Sequence, residues 1–446
     1  MMNRTQIVEI DKKYIWHPYT EMQNYIENTN PVVVERAEGF YLYDKDGTRY
    51  MDGNGSWWTS IVGHNHPTLM SAIVERTQTM VNCSFAGTTH EPAAQCAANL
   101  LPRCGPSFAK IFFSDDGSTA VEVAVRMAYQ YWKNVGRNEK KRFVTLSGAF
   151  HGETLACASV SGVEVFHTAL GDLIFDRIVL PSPGQPDADF TGDTPWYERA
   201  FQVAADLLER KHDEVAAIIV EPLVQGAAGM LMYPPKYLAS LRALCSTLDI
   251  LLICDEVFTG YGRTGSFLAH TQAGIEADIV TLAKGFSGGE LPMAATITTQ
   301  RIFDAFLGSA EKTLWYGHSF TGNPLGCAVA NATLQVFDDE KLLESLPSKA
   351  AAIAAGLERL SAHPWVNDAR QTGIISAFTL IDPRSQNKSG GYLSDAGWRF
   401  YAEARKRGAL LRPLGNVVYF ALPLTVTVSQ IADLFDVCEA SLQATF

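Results

Sequence analysis

The sequence predicts an α/β protein: a large domain with a mostly parallel sheet flanked by helices, and a smaller α+β domain. Three observations carry this. Between about residues 70 and 325, short apolar runs rich in β-branched residues alternate with stretches long enough for crossover helices, as buried parallel strands do. After Asn323-Pro324 the pattern changes, and helices expected over 349–360, 395–407 and 429–444 alternate with strands containing GIISAFTL and VVYFAL. The 446 residues, 47% hydrophobic and 19% charged, suit two or three globular domains with a large core.

Taken in order, the chain opens with MMNRTQIVEIDKKY, which lacks the apolar centre of a signal segment. Residues 14–22, YIWHPYTEM, read as an aromatic arm packed on the body. The run FYLYDKDGTRYMDGNGS places a hairpin turn at Asp46-Gly47. We expect residues 1–65 to form this arm and hairpin and to join the small domain, 66–328 to form the large domain, and 329–446 the rest of the small one. Trp57 and Trp58 stand among Gly53, Asn54, Gly55 and Gly63, a loop composition that suits a pocket wall better than core packing. His64 and His66 lack a third ligand at metal spacing, so no metal is expected. A strand over 110–113 runs through Asp116-Gly117-Ser118 into the helix TAVEVAVRMAYQYW, with Ser118 as its cap. Free N–H groups at such a start, with a serine hydroxyl, can bind phosphate; ordinary capping is the plainer reading. Strands follow over 143–146, before GAFHGET, and over 216–220, ending at Glu221 with Gln225 close behind. Two more cover 250–254 and 278–282, and AATITT after Met293 supplies another.

The chemistry concentrates in the stretch from residue 250 to 289. One apolar run delivers Asp255 and Glu256, and the next delivers Lys284 and a glycine-rich turn. In open parallel sheets ligands sit beyond the carboxyl ends of the strands, so an acid and an amine at two such ends could meet over one ligand. Pyridoxal phosphate needs that pair: a lysine for its aldehyde and an acid for its ring nitrogen. A surface lysine and a turn-forming aspartate are the bland alternatives. Gly260, Gly262 and Gly265 spell GxGxxG, but five residues, Asp255 to Thr259, separate them from the strand end, so a dinucleotide fingerprint is rejected. Arg412 follows the apolar Ala409-Leu410-Leu411. It reads as a surface residue or as a fork for a substrate carboxylate.

Other classes are excluded by bulk properties. A formal charge of −12 with no basic block argues against nucleic-acid binding. No run reaches the roughly 18 apolar residues of a membrane span. The eight cysteines form no CxxC and read as free thiols in a reducing, cytoplasmic compartment.

With these pieces in place, the chain resembles the class III, fold-type I, pyridoxal 5'-phosphate-dependent aminotransferases over nearly its whole length. The resemblance rests on DDGSTAVEVA, FHGET, EPLVQGAAGM, DEVFTGYGRTG, LAKGFSGGELPM and GHSFTGNPLGCA, in that order. It implies a seven-stranded-type sheet. Three further segments, IWHPYT, DGNGSWW and LLRPLGNVVY, are similar to the branch that converts 8-amino-7-oxononanoate to 7,8-diaminononanoate in biotin synthesis, using S-adenosylmethionine as amino donor. By resemblance, Lys284 would hold the cofactor covalently and shuttle protons, and Asp255 would keep its ring nitrogen protonated. Gly117 and Ser118 would cradle its phosphate, Ser319 would reach that phosphate from the second subunit of a homodimer, and Phe150 would stack on the ring. Glu221 and Gln225 would lie on the cofactor side. Tyr19, Trp57, Trp58, Arg263, Gly317, Arg412 and Tyr419 would bind substrate, with Arg412 on the keto acid's carboxylate.

One departure bears on the donor. The family usually has Tyr and Asp where this chain has Phe150 and Glu153, so lysine competes with S-adenosylmethionine as donor. The alternatives on the same scaffold are a general ω-amine:pyruvate aminotransferase, which gives no reason for IWHPYT or the tryptophan pair, and an aminomutase. A non-catalytic regulator is disfavoured by the intact Lys284 and Asp255.

Overall fold

The computed structural model describes residues 2–187, 190–191, 193–382 and 394–446. Its centre is a seven-stranded sheet. In chain order the strands are β1 (Phe108–Ser114), β2 (Arg142–Leu146), β3 (Arg177–Leu180), β4 (Val215–Val220), β5 (Leu251–Asp255), β6 (Ile279–Leu282) and β7 (Ala294–Thr299). Across the sheet the order is β1-β7-β6-β5-β4-β2-β3. All pairings are parallel except the two made by β7, which runs antiparallel to both β6 and β1. The expected mostly parallel sheet is therefore present, with one reversed strand.

The central strands are buried on both faces. Every residue of β4 and β5 is inaccessible or nearly so, which is why VAAIIV and LLICD carry no alternation. The helix Gly117–Asn134 lays Val121, Ala124, Ala128 and Trp132 into the core. Its Trp132 indole N–H donates to Ala216 O across 2.8 Å, so this large ring leaves no unmet donor.

The N-terminal strands Val34–Glu38, Tyr41–Asp44 and Arg49–Asp52 form an antiparallel meander whose last strand pairs in parallel with Ala409–Leu410. The turn at Asp46-Gly47 is pinned by Asp44, whose carboxylate accepts from the Asp46 and Thr48 backbone N–H groups and the Tyr50 hydroxyl. A three-stranded sheet, Val366–Thr372, Ile375–Leu380 and Val417–Ala421, is backed by the helices Leu342–Ser361, Ala396–Lys406 and Val428–Thr445. The helix Pro324–Asp339 runs across the boundary expected at residue 328.

Candidate active site

Two neighbouring strand ends create the site. Asp255 is the last residue of β5 and is paired in register with Thr281 of β6; Lys284 follows β6 by two residues. Parallel pairing brings both to one edge of the sheet, and both line a cavity of about 560 Å³. Asp255 is buried and well held. Its Oδ2 lies 2.7 Å from His151 Nδ1, while Oδ1 accepts from the Val257 N–H and the Thr281 hydroxyl, both at 3.1 Å. Lys284 has φ +47°, a left-handed conformation unusual for a side chain with a Cβ. Burial pulls its amine down to about 8, with Asp255 and Glu221 opposing.

The start of the helix Gly117–Asn134 packs beside them, against Val257 and Ala283. Asp116, not Ser118, is its cap: the Asp116 carboxylate accepts from Thr119 N and the Thr119 hydroxyl accepts from Asp116 N. The expectation of a serine cap fails because Asp116 reaches the third N–H first and leaves Ser118 inside the first turn. Gly117 and Ser118 line the cavity, and a Cβ on Gly117 would come within 2.7 Å of Val257 Cγ1. Glu221, after β4, accepts from Phe150 N at 2.9 Å and Gly226 N at 2.8 Å, so it fixes the backbone that carries the Phe150 ring. Burial pushes Glu221 up to about 7.

A second cavity, of about 500 Å³, adjoins the first, and Trp58, Thr59, Phe150 and Lys284 line both. Tyr19, Trp57, Phe166, Trp398 and Arg412 complete its wall. The Tyr19 hydroxyl donates to Glu153, and its ring meets Trp57 and Phe166, each at 5.4 Å between centroids. Phe166 and Trp398 escaped the sequence reading, since each stands alone in a segment without a motif. His151 lies within FHGET, a motif that does not announce its contact with Asp255.

Some residues expected at the site stand behind it. Arg263 is buried and donates to Trp58 O (2.6 Å) and Leu422 O (3.3 Å), bracing the tryptophan from the far side. Tyr419 packs edge-on against Trp58 at 6.0 Å. The Gln225 amide donates to Ser147 O and its carbonyl accepts from the Ser182 hydroxyl, within the protein and away from both cavities. Gly317 and Ser319 lie on an outer loop and line neither cavity. His64 and His66 turn to different carboxylates, Asp52 and Glu340, each at 2.8 Å.

Sheet, strand-end acid and amine, and glycine-serine helix start together define a pyridoxal-phosphate type of transferase site. The chain belongs to the class-III aminotransferases: that family's pattern matches residues 23–442. It is 40% identical over 436 residues to the adenosylmethionine-8-amino-7-oxononanoate aminotransferase of Geobacter sulfurreducens, covering 97% of this chain and 96% of that one. The solved structure of the enzyme of the same name from Methanocaldococcus jannaschii superposes with a TM-score of 0.92 at 32% identity, over 99% of each chain. An amine transaminase from an uncultivated Pseudomonas species, solved with pyridoxal phosphate bound, gives 0.90 at 30% identity, over 97% of this chain and 99% of that one.

Pyridoxal phosphate is the cofactor of this class, and the residues present fit it. The backbone at Gly117 and Gly152 is packed too closely for any side chain: a Cβ on Gly152 would lie 2.5 Å from Ser118 Oγ. That leaves a tight cradle at a helix start, suited to a phosphate. Asp255 offers a buried carboxylate at one side of the cavity and Lys284 an amine at another.

Proposed function

We propose that this protein transfers an amino group to 8-amino-7-oxononanoate, forming 7,8-diaminononanoate in biotin synthesis, with S-adenosylmethionine as donor. The observation that carries the reading is the second cavity. It runs from Lys284 between aromatic walls to Arg412, whose Nη2 donates to the Tyr19 carbonyl at 3.4 Å and which meets no carboxylate among the described residues. An apolar passage with a reactive amine at one end and a guanidinium at the other suits a long aliphatic keto acid.

Bound pyridoxal phosphate supplies an aldehyde for amines and a ring that accepts electrons from the adjoining carbon. Asp255 would keep the ring nitrogen protonated, and its His151, Val257 and Thr281 partners fix its orientation. Gly117 and Ser118 would hold the phosphate through the helix start. Phe150, set by Glu221, would cover the ring. Lys284 would hold the aldehyde carbon covalently, and its Nζ, when free, would carry the proton that moves between the substrate carbon and the cofactor carbon. A value of about 8 leaves roughly a tenth of such an amine neutral at pH 7 and able to act as a base. Tyr19, Trp57 and Trp58 would line the acceptor's path, with Arg412 on its carboxylate. Arg263 and Tyr419 would hold Trp58 in place, and Gln225 would support the cofactor side through Ser147.

We assign Gly317 and Ser319 to the site of a second copy in a homodimer. Their loop leaves Trp315 80% and Phe320 57% exposed, rings that a second copy would cover. Pairing of Ala409–Leu410 with the N-terminal strands supports one small domain drawn from both termini, with 66–328 as the large one. Seven of the eight free cysteines are buried, in keeping with a reducing cytoplasm. Among the described residues no helix is long and apolar enough to cross a membrane.

Lysine is the competing donor, because Glu153, held by the Tyr19 hydroxyl at the rim, offers a carboxylate to a second ammonium group. Purified protein supplied with 8-amino-7-oxononanoate should form 7,8-diaminononanoate with S-adenosylmethionine, and product with lysine but not S-adenosylmethionine would overturn the donor assignment. Turnover only with pyruvate and an ω-amine would overturn the proposal.

A further inference from the structure

We propose that Trp398 is a specificity-determining residue: it stacks on the guanidinium of Arg412 and so fixes where the substrate's carboxylate can be held. The inference rests on the role given to Arg412 above.

Trp398 sits near the start of the helix Ala396–Lys406 and is 45% exposed, so core packing does not account for an indole there. It lines the second cavity together with Arg412. The Arg412 guanidinium carbon lies 5.0 Å from the centre of the Trp57 ring and 5.5 Å from that of Trp398. Two indoles from opposite ends of the chain thus flank one cation. Cation–π attraction acts through the ring faces and leaves the planar N–H fork for an acid. Arg412 follows the two-residue strand Ala409–Leu410, and beyond it a long side chain has many rotamers to lose on binding. Among the described residues, its hydrogen-bond tether is the Tyr19 carbonyl, and at 3.4 Å it is long. Trp398 therefore removes much of that freedom before the acid arrives. The helix end is itself anchored, because Arg399 pairs with Asp382. The distance from the guanidinium to the Lys284 amine then sets the chain length that fits, and a fixed guanidinium discriminates chain lengths more sharply than a mobile one.

The test uses holoenzyme and four variants: W398A, W398F, R412A and the W398A/R412A double substitution. KM and kcat are measured for 8-amino-7-oxononanoate, for keto acids one and two methylenes shorter, and for a ketone of equal length without the carboxylate. W398A should raise KM for the acid roughly 5- to 30-fold, the factor that about 1–2 kcal/mol represents. KM for the carboxylate-free ketone should move far less. W398F should recover most of the loss, and the preference for the full-length acid over the shorter ones should narrow in W398A. In the R412A background W398A should add nothing. An equal penalty with and without Arg412, or with and without the carboxylate, would overturn the inference. If R412A raises KM and W398A does not, the inference about Trp398 alone fails. If R412A leaves the acid's KM unchanged, the carboxylate role of Arg412 fails and takes this inference with it.

Discussion

Replacing Lys284 with methionine should stabilise the cofactor-free protein, with a pH dependence of defined sign. Burial pulls the Lys284 amine from its ordinary 10.5 to about 8, and the carboxylates of Asp255 and Glu221 oppose this without cancelling it. A base with a depressed folded value binds more protons when unfolded, so its penalty is fully present below about pH 8 and is lost as pH rises towards 10.5. The full penalty is about 3 kcal/mol, from about 1.4 kcal/mol for each tenfold change in proton affinity. Methionine keeps the stem and removes the charge, so K284M should exceed the wild type by about 2–3 kcal/mol at about pH 7. By about pH 9.5 the wild-type amine is neutral when folded and the gap should shrink by about 2 kcal/mol. Urea unfolding of the two cofactor-free proteins at both pH values measures this directly. Parallel pH dependences, or a K284M less stable than wild type at neutral pH, would refute the reasoning.

Glu221 gives the opposite sign. Burial raises it from 4.5 to about 7, with His151 opposing and Asp255 adding, so the folded protein binds the extra proton and stability falls as pH rises through that window. E221Q should remove about 2–3 kcal/mol of that fall, seen as a flatter melting profile between about pH 4.5 and 7; an unchanged slope would count against a buried, titrating Glu221. Gly152 has φ +122°, and an added Cβ would meet Ser118 Cα at 2.8 Å as well as its hydroxyl. G152A should therefore weaken pyridoxal phosphate binding about 10–100-fold by absorbance titration, since backbone must move at the cradle. A lower melting temperature with unchanged cofactor affinity would assign the glycine to stability alone.

The fold was legible where the sequence shows a single period. Buried strands β4, β5 and β6 read as unbroken apolar runs, and Asp255 and Lys284 could be placed because they follow those runs directly. The reversed direction of β7 was not legible, because AATITT is equally apolar whichever way it runs. The cap at Asp116 is not legible for a local reason: aspartate and serine cap equally well, and the reciprocal bonds between Asp116 and Thr119 decide between them. The second cavity was the least legible part. Tyr19, Trp57, Phe166, Trp398 and Arg412 come from five separate segments, so nothing local announces that they meet.

The backbone at this site gives a physical reason for the residues that stand behind it. Tyr19, Ser56, Trp57, Trp58 and Lys284 all have positive φ, between +46° and +74°, and apart from Ser56 each lines a cavity. Each such residue costs on the order of 1–3 kcal/mol and persists only where its surroundings impose it. For the tryptophan turn those surroundings are visible. Arg263 binds the Trp58 carbonyl, Asn54 Nδ2 donates to Tyr419 O at 3.0 Å, and Phe258 lies 4.3 Å from the Trp58 ring. A buried arginine whose hydrogen bonds, among the described residues, go to carbonyls is an expensive brace unless the strained turn it holds is needed. The turn points Trp58 at Lys284, whose amine is 4.9 Å from the indole centre, and Trp57 at Arg412. Substitution of Arg263 should therefore disturb both ends of the passage at once, although its side chain touches neither cavity.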